Sequence, residues 1–331
     1  MATKEIFETL LDNLKVDNAD KIGARRDEIA KTLNKEFRDL TGSVGNQLMV
    51  GSYGRYTAIR GISDLDMLYI LPSALRDQYA SETGPRRMLN RVRDAIRDRY
   101  TATEVAVDQC VVRVQFSNFK FEVQPVFEED DGSFLYPDTV AEKWKVTKPR
   151  EEIAETRDRD TRTSGNMRKL AKMTRAWRNA HGVVMGGLLI DTLVHRFFTD
   201  VTTYDSSGAG TYDIMVRDFF EFLSDEDDHD YYLALGSHQR VRVKKRFQSK
   251  AKKAYNLCLD AIGAGGKSSV NTKWRAVFGT AVPKAASALL AAAATPAFRD
   301  TEEFIEARFP VDIRYTLTLD CKVTQNGFRP T

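Results

Sequence analysis

The stretch that most constrains this chain is residues 47–72. A short apolar run, LMVGS, breaks at Gly51-Ser52, and after eleven residues Asp64-Leu65-Asp66 opens the alternating run DLDMLYIL, which ends at Pro72. Strand periodicity of two places both aspartates on one face and the apolar residues between them on the other. Two carboxylates pointing the same way repel each other unless a cation lies between them. An oxygen-only set suits Mg²⁺ or Mn²⁺ rather than zinc. A third carboxylate is expected nearby, and Glu122 qualifies: in the apolar segment 119–127, Phe121 and Val123 fall on one parity, Glu122 and Gln124 on the other.

Three such carboxylates can hold two ions that clamp an in-line phosphoryl transfer, one activating the attacking hydroxyl and one neutralising the leaving pyrophosphate. Gly51 lets the backbone approach a phosphate where a Cβ would obstruct it, and Ser52 offers both an N–H and a hydroxyl. An isolated pair of aspartates at a strand start is usually just solvated. The Gly-Ser turn at this spacing, with an acidic residue inside an apolar strand, points to nucleotidyl transfer.

Around this stretch the pattern is mixed. Residues 1–40 show helical spacing, with Ile6, Leu10, Leu11 and Leu14 on one side and Ile29, Leu33 and Phe37 on another. A helix is expected over 85–100, and two strands around Ser117-Asn118. Beyond Pro149 the chain turns helical, with candidates at 166–180, 186–198, 213–223 and 240–262, so a lobe boundary is expected near residue 150. The class is α/β (α+β). With 331 residues and 42% hydrophobic content there is enough apolar material for two modest cores. The alanine-rich stretch 281–298 reads as a helix or as a connector. A short helix in TEEFIEARF and a strand in VDIRYTLTLDCKV follow it.

Fifty basic residues against 47 acidic leave a net charge of only +3, so any phosphate-binding surface must be local. Cys110, Cys258 and Cys321 are too few and too far apart for a disulfide framework or a zinc site. No apolar run reaches the roughly 18–20 residues of a membrane span. The expectation is a soluble cytoplasmic protein with no membrane contact.

The segment VGSYGRYTAIRGISDLDMLYIL resembles the signature of the polymerase-β-type nucleotidyltransferase superfamily. More narrowly, it is similar to bacterial relatives of oligoadenylate synthase and cyclic GMP-AMP synthase, the cGAS/DncV-like nucleotidyltransferases of CBASS antiphage defence. The likeness continues through FEVQP, KVTKP, NMRKLAKMTRAWRN, GGLLIDTL and GSHQRV, and so spans most of residues 47–262. It departs from the family at Glu122, where many relatives carry aspartate, and at Tyr56, where Gly-Thr is usual for Tyr56-Thr57.

The resemblance implies a bilobal polymerase-β-like fold, with a mixed sheet in a catalytic lobe (1–150) and a helical lobe (151–331) ending at the junction to a further sensor domain. It implies ATP, GTP or another NTP as substrate and a cyclic di- or trinucleotide as product. Two Mg²⁺ (or Mn²⁺) ions would sit on Asp64, Asp66 and Glu122. Gly51, Ser52, Thr57 and a basic residue two before Trp177, namely Arg175, with Lys172 one turn earlier, would meet the donor nucleotide. A product-activated effector protein and regulatory partner proteins are also implied.

Other residues leave alternatives open. Arg168, Lys172 and Arg175 share a helical sector opposite Leu170, Met173 and Trp177, which reads as one cationic and one packing face. Ser237, His238 and Gln239 either present hydrogen bonds to a base edge or cap the basic run 240–253. That run reads as a solvated face, and RNA is not an expected partner. Tyr53, Tyr56, Tyr204, Tyr212 and Tyr231 are candidates to stack on a base. Asp191, inside an apolar helix, reads as a capping or pairing residue rather than a catalytic one. Two rival functions stand beside cyclisation: a terminal transferase acting on RNA, and a catalytically silent nucleotide-binding module.

Overall fold

The computed structural model describes residues 2–284. Helices α1 (Thr3–Asn13) and α2 (Ala19–Arg38) lead into strand β1 (Gln47–Met49), the single turn α3 (Gly51–Gly54) and strand β2 (Asp64–Ile70). Helix α4 (Gly84–Arg99) is followed by β3 (Glu104–Asp108), β4 (Val111–Gln115), β5 (Lys120–Glu128), β6 (Phe134–Asp138) and β7 (Lys143–Thr147). The helices α5 (Pro149–Arg162), α6 (Asn166–Ala180), α7 (Gly187–Asp200) and α8 (Tyr212–Asp225) come next. The short pair β8 (Tyr231–Leu233) and β9 (Arg240–Arg242), then α9 (Gln248–Gly263) and α10 (Val270–Phe278), complete the elements.

The sheet runs β1-β2-β5-β4-β3, with β6 and β7 continuing from the far end of β5. Strands β2 and β5 are parallel and the other pairs antiparallel, so the sheet is mixed. Alternation works as the sequence predicts. Leu65, Met67 and Tyr69 of β2 and Phe121, Val123 and Phe127 of β5 share a core with Met88, Leu89, Val92 and Ile96 of α4 and Ile29, Leu33 and Phe37 of α2. The Tyr69 hydroxyl, buried beneath α2, donates to the Leu33 carbonyl at 3.0 Å and anchors the helix to the strand.

A second core gathers α6 to α10 around Trp177, Phe197, Phe219, Phe220 and Trp274. Helix α1 packs into this one: Ile6, Phe7, Leu10 and Leu14 are members, and Phe7 lies edge-on to Trp274 at 4.9 Å between centroids. Met1–Val282 forms one compact unit containing both cores. We propose the boundary near residue 150 as the division between them, with α1 and Ile59 as the exceptions in chain order.

Several elements differ from expectation. The helix expected over 240–262 begins only at Gln248. Arg240–Arg242 instead alternates about Val241, which pairs with Tyr232, and the fully buried Phe247 anchors the entry to α9. Ser237-His238-Gln239 therefore caps no helix: it lies in the turn between β8 and β9, where Gly236 and His238 have positive φ. The segment before Ser117-Asn118 is two strands rather than one, because Gln109, at φ 47°, turns β3 back as β4. Helix α5 and strands β6 and β7 were not anticipated. The start of α5 was nonetheless marked by Pro149 in its first turn and by Glu151 and Glu152 against the helix dipole.

The alanine-rich stretch from residue 285, the helix and strand expected beyond it, Cys321 and the junction to a further domain lie outside the described residues. No described helix is long and apolar enough to cross a membrane.

Candidate active site

The parallel pairing of β2 with β5 brings the carboxylates together. In its register Asp64 faces Lys120 and Asp66 faces Glu122, all on the sheet face opposite the α2/α4 core. Side chains directly across a ladder lie only about 5 Å apart at Cβ, so Asp66 and Glu122 are neighbours although distant in sequence. The turn at α3 is fixed against the same strand, since the Val50 N–H donates to the Asp66 carbonyl at 2.9 Å. Gly51 sits at φ +60°, and a Cβ there would fall 1.8 Å from Asp66 Oδ2, so no other residue fits. The Ser52 carbonyl accepts from the N–H groups of Thr57 at 2.9 Å and Ala58 at 3.0 Å, folding the turn back on itself. Tyr56 lies at φ 61° and 68% exposed, with the Arg168 guanidinium 5.1 Å from its ring centre. A left-handed backbone favours glycine at this position; the cation–π contact offsets part of the roughly 1 kcal/mol strain.

Charge in the cluster is poorly compensated. Burial, the Glu122 charge and Asp64 push the Asp66 carboxyl up to about 6, with Arg55 and Lys120 opposing them. Lys120 is the cation within the cluster, its Nζ 2.7 Å from Glu122 Oε1 and 3.3 Å from Asp64 Oδ1. No hydrogen bond or ion pair holds the Asp66 carboxylate among the described residues. Nor are three Asp, Glu, His or Cys side chains already gathered there as a metal-holding group. Three hard oxygen donors, one left unpaired and the set carrying excess negative charge, nevertheless fit Mg²⁺ or Mn²⁺.

The raised Asp66 value has a consequence for the metal-free fold. Between about pH 4 and 6 the folded state keeps a proton that the unfolded chain has lost, so this group's contribution to stability falls as pH rises through that window and stays unfavourable above it. Asp66→Asn should therefore raise the melting temperature in EDTA at pH 7, by about 3 °C, and remove that part of the pH slope. A lower melting temperature for the variant at pH 7 would contradict this.

The carboxylates open onto a cleft of about 650 Å³, also lined by Gly51, Ser52, Arg60, Arg175, Arg178 and Gly187. A buried ionic cluster forms its floor. Arg175 Nη1 and Nη2 grip Asp191 Oδ1 and Oδ2 at 2.7 and 2.9 Å, while Arg55 Nε donates to Asp191 Oδ2 at 2.8 Å. Arg55 Nη1 reaches Glu152 Oε2 at 3.2 Å, Thr57 Oγ1 donates to Asp191 at 3.0 Å, and Ser237 Oγ to Glu152 at 3.2 Å. Burial works against the Asp191 charge, but Arg175 and Arg55 outweigh it and hold the carboxyl below the usual range. For Glu152 burial wins over Arg55 and Ser237, and its carboxyl is raised.

The sequence-derived positions thus separate. Asp64, Asp66, Glu122, Gly51 and Ser52 meet at one wall of the cleft. Arg175 lines it, but its side chain is only 3% exposed and is committed to Asp191. Thr57 and Ser237 are buried in the ionic cluster, and Gln239, which is not itself among the lining residues, bridges the Val146 carbonyl and the Lys148 N–H on either side of the cleft-lining Thr147. Lys172 is half-buried behind the cleft wall, its ammonium disfavoured by burial and by Arg168. None of the five candidate tyrosines lines the cleft. Tyr204 and Tyr212 belong to the helical core.

Three arginines the sequence reading passed over do line it: Arg55, already committed to the ionic cluster, Arg178 and Arg60. Arg178, one turn beyond Arg175, donates to Asn179 Oδ1 and the Met185 carbonyl and pairs with no acid. Burial and Arg175 disfavour its charge. Arg60 is exposed at the rim. The signal for Arg178 was its i+3 spacing on the same helix face.

Residues 1–160 match the model for the Second Messenger Oligonucleotide or Dinucleotide Synthetase domain. A cyclic AMP-AMP-AMP synthase from Acinetobacter sp. (strain ATCC 27244 / 9458) is 23% identical over 264 residues, 72% of each chain. Among solved structures, E. coli MS115-1 CdnC, seen in complex with HORMA-deltaN, matches with a TM-score of 0.65 at 16% identity, over 85% of this chain and 98% of that one. The same enzyme with ATP matches at 0.62 and 15% identity, over 85% and 99%. Vibrio cholerae DncV cyclic AMP-GMP synthase, in complex with the linear intermediate 5′ pppA(3′,5′)pG, matches at 0.56 and 15% identity, over 85% and 87%. The fold is the polymerase-β-like nucleotidyltransferase fold of CdnC and DncV.

Proposed function

We infer that this chain, a homologue of the cGAS/DncV-like nucleotidyltransferases whose residues 1–160 form a second-messenger oligonucleotide or dinucleotide synthetase domain, joins nucleoside triphosphates into a small cyclic oligonucleotide. The observation that carries the reading is the parallel register that sets Asp66 against Glu122, with the Gly51-Ser52 turn closing on the same carboxylate.

In this reading Asp64, Asp66 and Glu122 hold Mg²⁺ or Mn²⁺, which would neutralise charge on the transferred phosphoryl group and lower the pKa of the attacking sugar hydroxyl. The protein's own groups position the reactants. Gly51 admits a phosphate close to the backbone, Ser52 offers its hydroxyl, and Arg178 and Arg60 supply cationic charge not already spent on an acid. The cleft volume suits a small-molecule site, and lining it with charged and backbone groups favours polyphosphates over apolar ligands. A second nucleotide serves as acceptor and then repositions for the closing transfer. By analogy with CdnC and its HORMA partner we propose regulation by a partner protein, and a role in antiphage defence through an effector that the product activates.

The test incubates purified protein with all four labelled NTPs and Mg²⁺ or Mn²⁺, then treats the products with phosphatase. A phosphatase-resistant labelled product is expected. Pyrophosphate release that requires added RNA would replace this reading with a terminal transferase. The guanidinium that pairs with no acid among the described residues also makes a prediction: Arg178→Ala should raise the KM for NTP about tenfold while costing only about 1–2 kcal/mol of stability through its bonds to Asn179 and the Met185 carbonyl, as loss of one charge-assisted phosphate contact requires. An unaltered KM would remove Arg178 from the binding surface.

A further inference from the structure

The ammonium of Lys120 stands where a cation is needed. It reaches this position in two ways at once: as the cross-strand partner of Asp64, and as the residue two before Glu122 on the same face of β5. Its Nζ bridges Glu122 Oε1 at 2.7 Å and Asp64 Oδ1 at 3.3 Å, from a side chain that is only 25% exposed. Asp66, flanked by both of these carboxylates, takes no share of the ammonium.

We propose that Lys120 is a tethered counter-cation that holds the carboxylate site together while no divalent ion is present and must be displaced for one to bind, thereby setting the metal concentration at which the enzyme becomes competent. The inference rests on the metal-site reading given above. Asp64 and Glu122 both contact the ammonium, and Asp66 does not. A single positive charge with three donors satisfies two carboxylates but leaves the third uncompensated. A dication entering the same cluster compensates more charge and is repelled by the ammonium, so the two occupants exclude each other. Partly exposed pairs of this kind are individually weak. Lys120 therefore yields to metal rather than blocking it, and the exchange costs affinity that a neutral residue would not.

The experiment titrates the full chain with Mn²⁺ alone, reading free ion by electron paramagnetic resonance at pH 7.5. The site is defined as the binding lost in the Asp64→Asn/Asp66→Asn double variant. Lys120→Met should bind Mn²⁺ about tenfold more tightly than wild type, while the charge-preserving Lys120→Arg stays within about twofold of it. In EDTA, Lys120→Met should also melt at a lower temperature than wild type and gain more from added Mn²⁺. Should the methionine variant fail to fold, Lys120→Gln carries the same comparison. Equal or weaker Mn²⁺ binding by the neutral variant, or equal tightening by Lys120→Arg, overturns the role assigned to Lys120 while leaving the metal site standing. If wild type itself shows no binding that depends on Asp64 and Asp66, the metal-site reading fails with it.

Discussion

Changing Asp64 and Asp66 together to asparagine should lower product formation from NTPs by about a thousandfold or more while the protein remains folded. Metal-assisted charge stabilisation is worth several kcal/mol, and each 1.36 kcal/mol is a factor of ten. The fold is expected to survive because both side chains lie on the cleft face, away from the α2/α4 core. Asparagine keeps their shape, and removing charge relieves the repulsion that raises Asp66. Circular dichroism and a melting curve must accompany the assay. A double variant that retained activity within tenfold of wild type would sink the proposed chemistry, because no other carboxylate pair lines the cleft on this strand.

The second large effect concerns stability. Asp191→Ala should destabilise the chain by about 3–5 kcal/mol, the usual cost of leaving buried charge without its partner. Asp191 is fully buried and is the shared acceptor for Arg175, Arg55 and Thr57, so its loss strands the Arg175 guanidinium beneath the cleft and leaves Arg55 with Glu152 alone. Denaturant midpoints would read the change, and a loss under about 1 kcal/mol would show that water or rearrangement rescues the arginines. The same geometry separates two roles for Arg175. A residue gripping triphosphate would, on truncation, raise KM and spare stability. The side chain seen here, locked to Asp191, should cost stability in the same range and carry any KM effect as a consequence. Arg178→Ala is the contrasting case on the same helix.

Most of the carboxylate wall that we propose as the metal site was legible from local pattern. Period-two alternation alone puts Asp64 and Asp66 together, and parity within 119–127 singles out Glu122. What alternation cannot supply is register. That Asp66 meets Glu122, and Asp64 meets Lys120, depends on which strand lies beside β2 and in which direction, a pairing across more than fifty residues. Lys120 shared the parity of Glu122 and was passed over because a surface lysine at a strand start is ordinary. The helical stripe Arg168-Lys172-Arg175 was legible as spacing, but spacing does not tell which of its members stay open to the cleft. Arg175 finds an acid on the next helix, and Arg168 pairs with Asp160 at 3.0 Å and caps the Arg55 carbonyl. Asp191 within an apolar helix was the clue, since a carboxylate so placed demands cations. The run from Arg240 misled because its charges fit a solvated helix as well as a strand edge. Only the burial of Phe247 and the pairing of Val241 decide between them.

The placement of α1 ties the two ends of the described chain together during synthesis. Phe7 packs against Tyr212, Trp274 and Phe278, none of which exists when α1 leaves the ribosome. The sheet core, whose strands end at β7, can mature early, while Ile6, Phe7 and Leu10 wait for α10 to be made. The helical core is thus completed by a segment synthesised long before the rest of it. Until then α1 is an amphipathic helix with its apolar face uncovered.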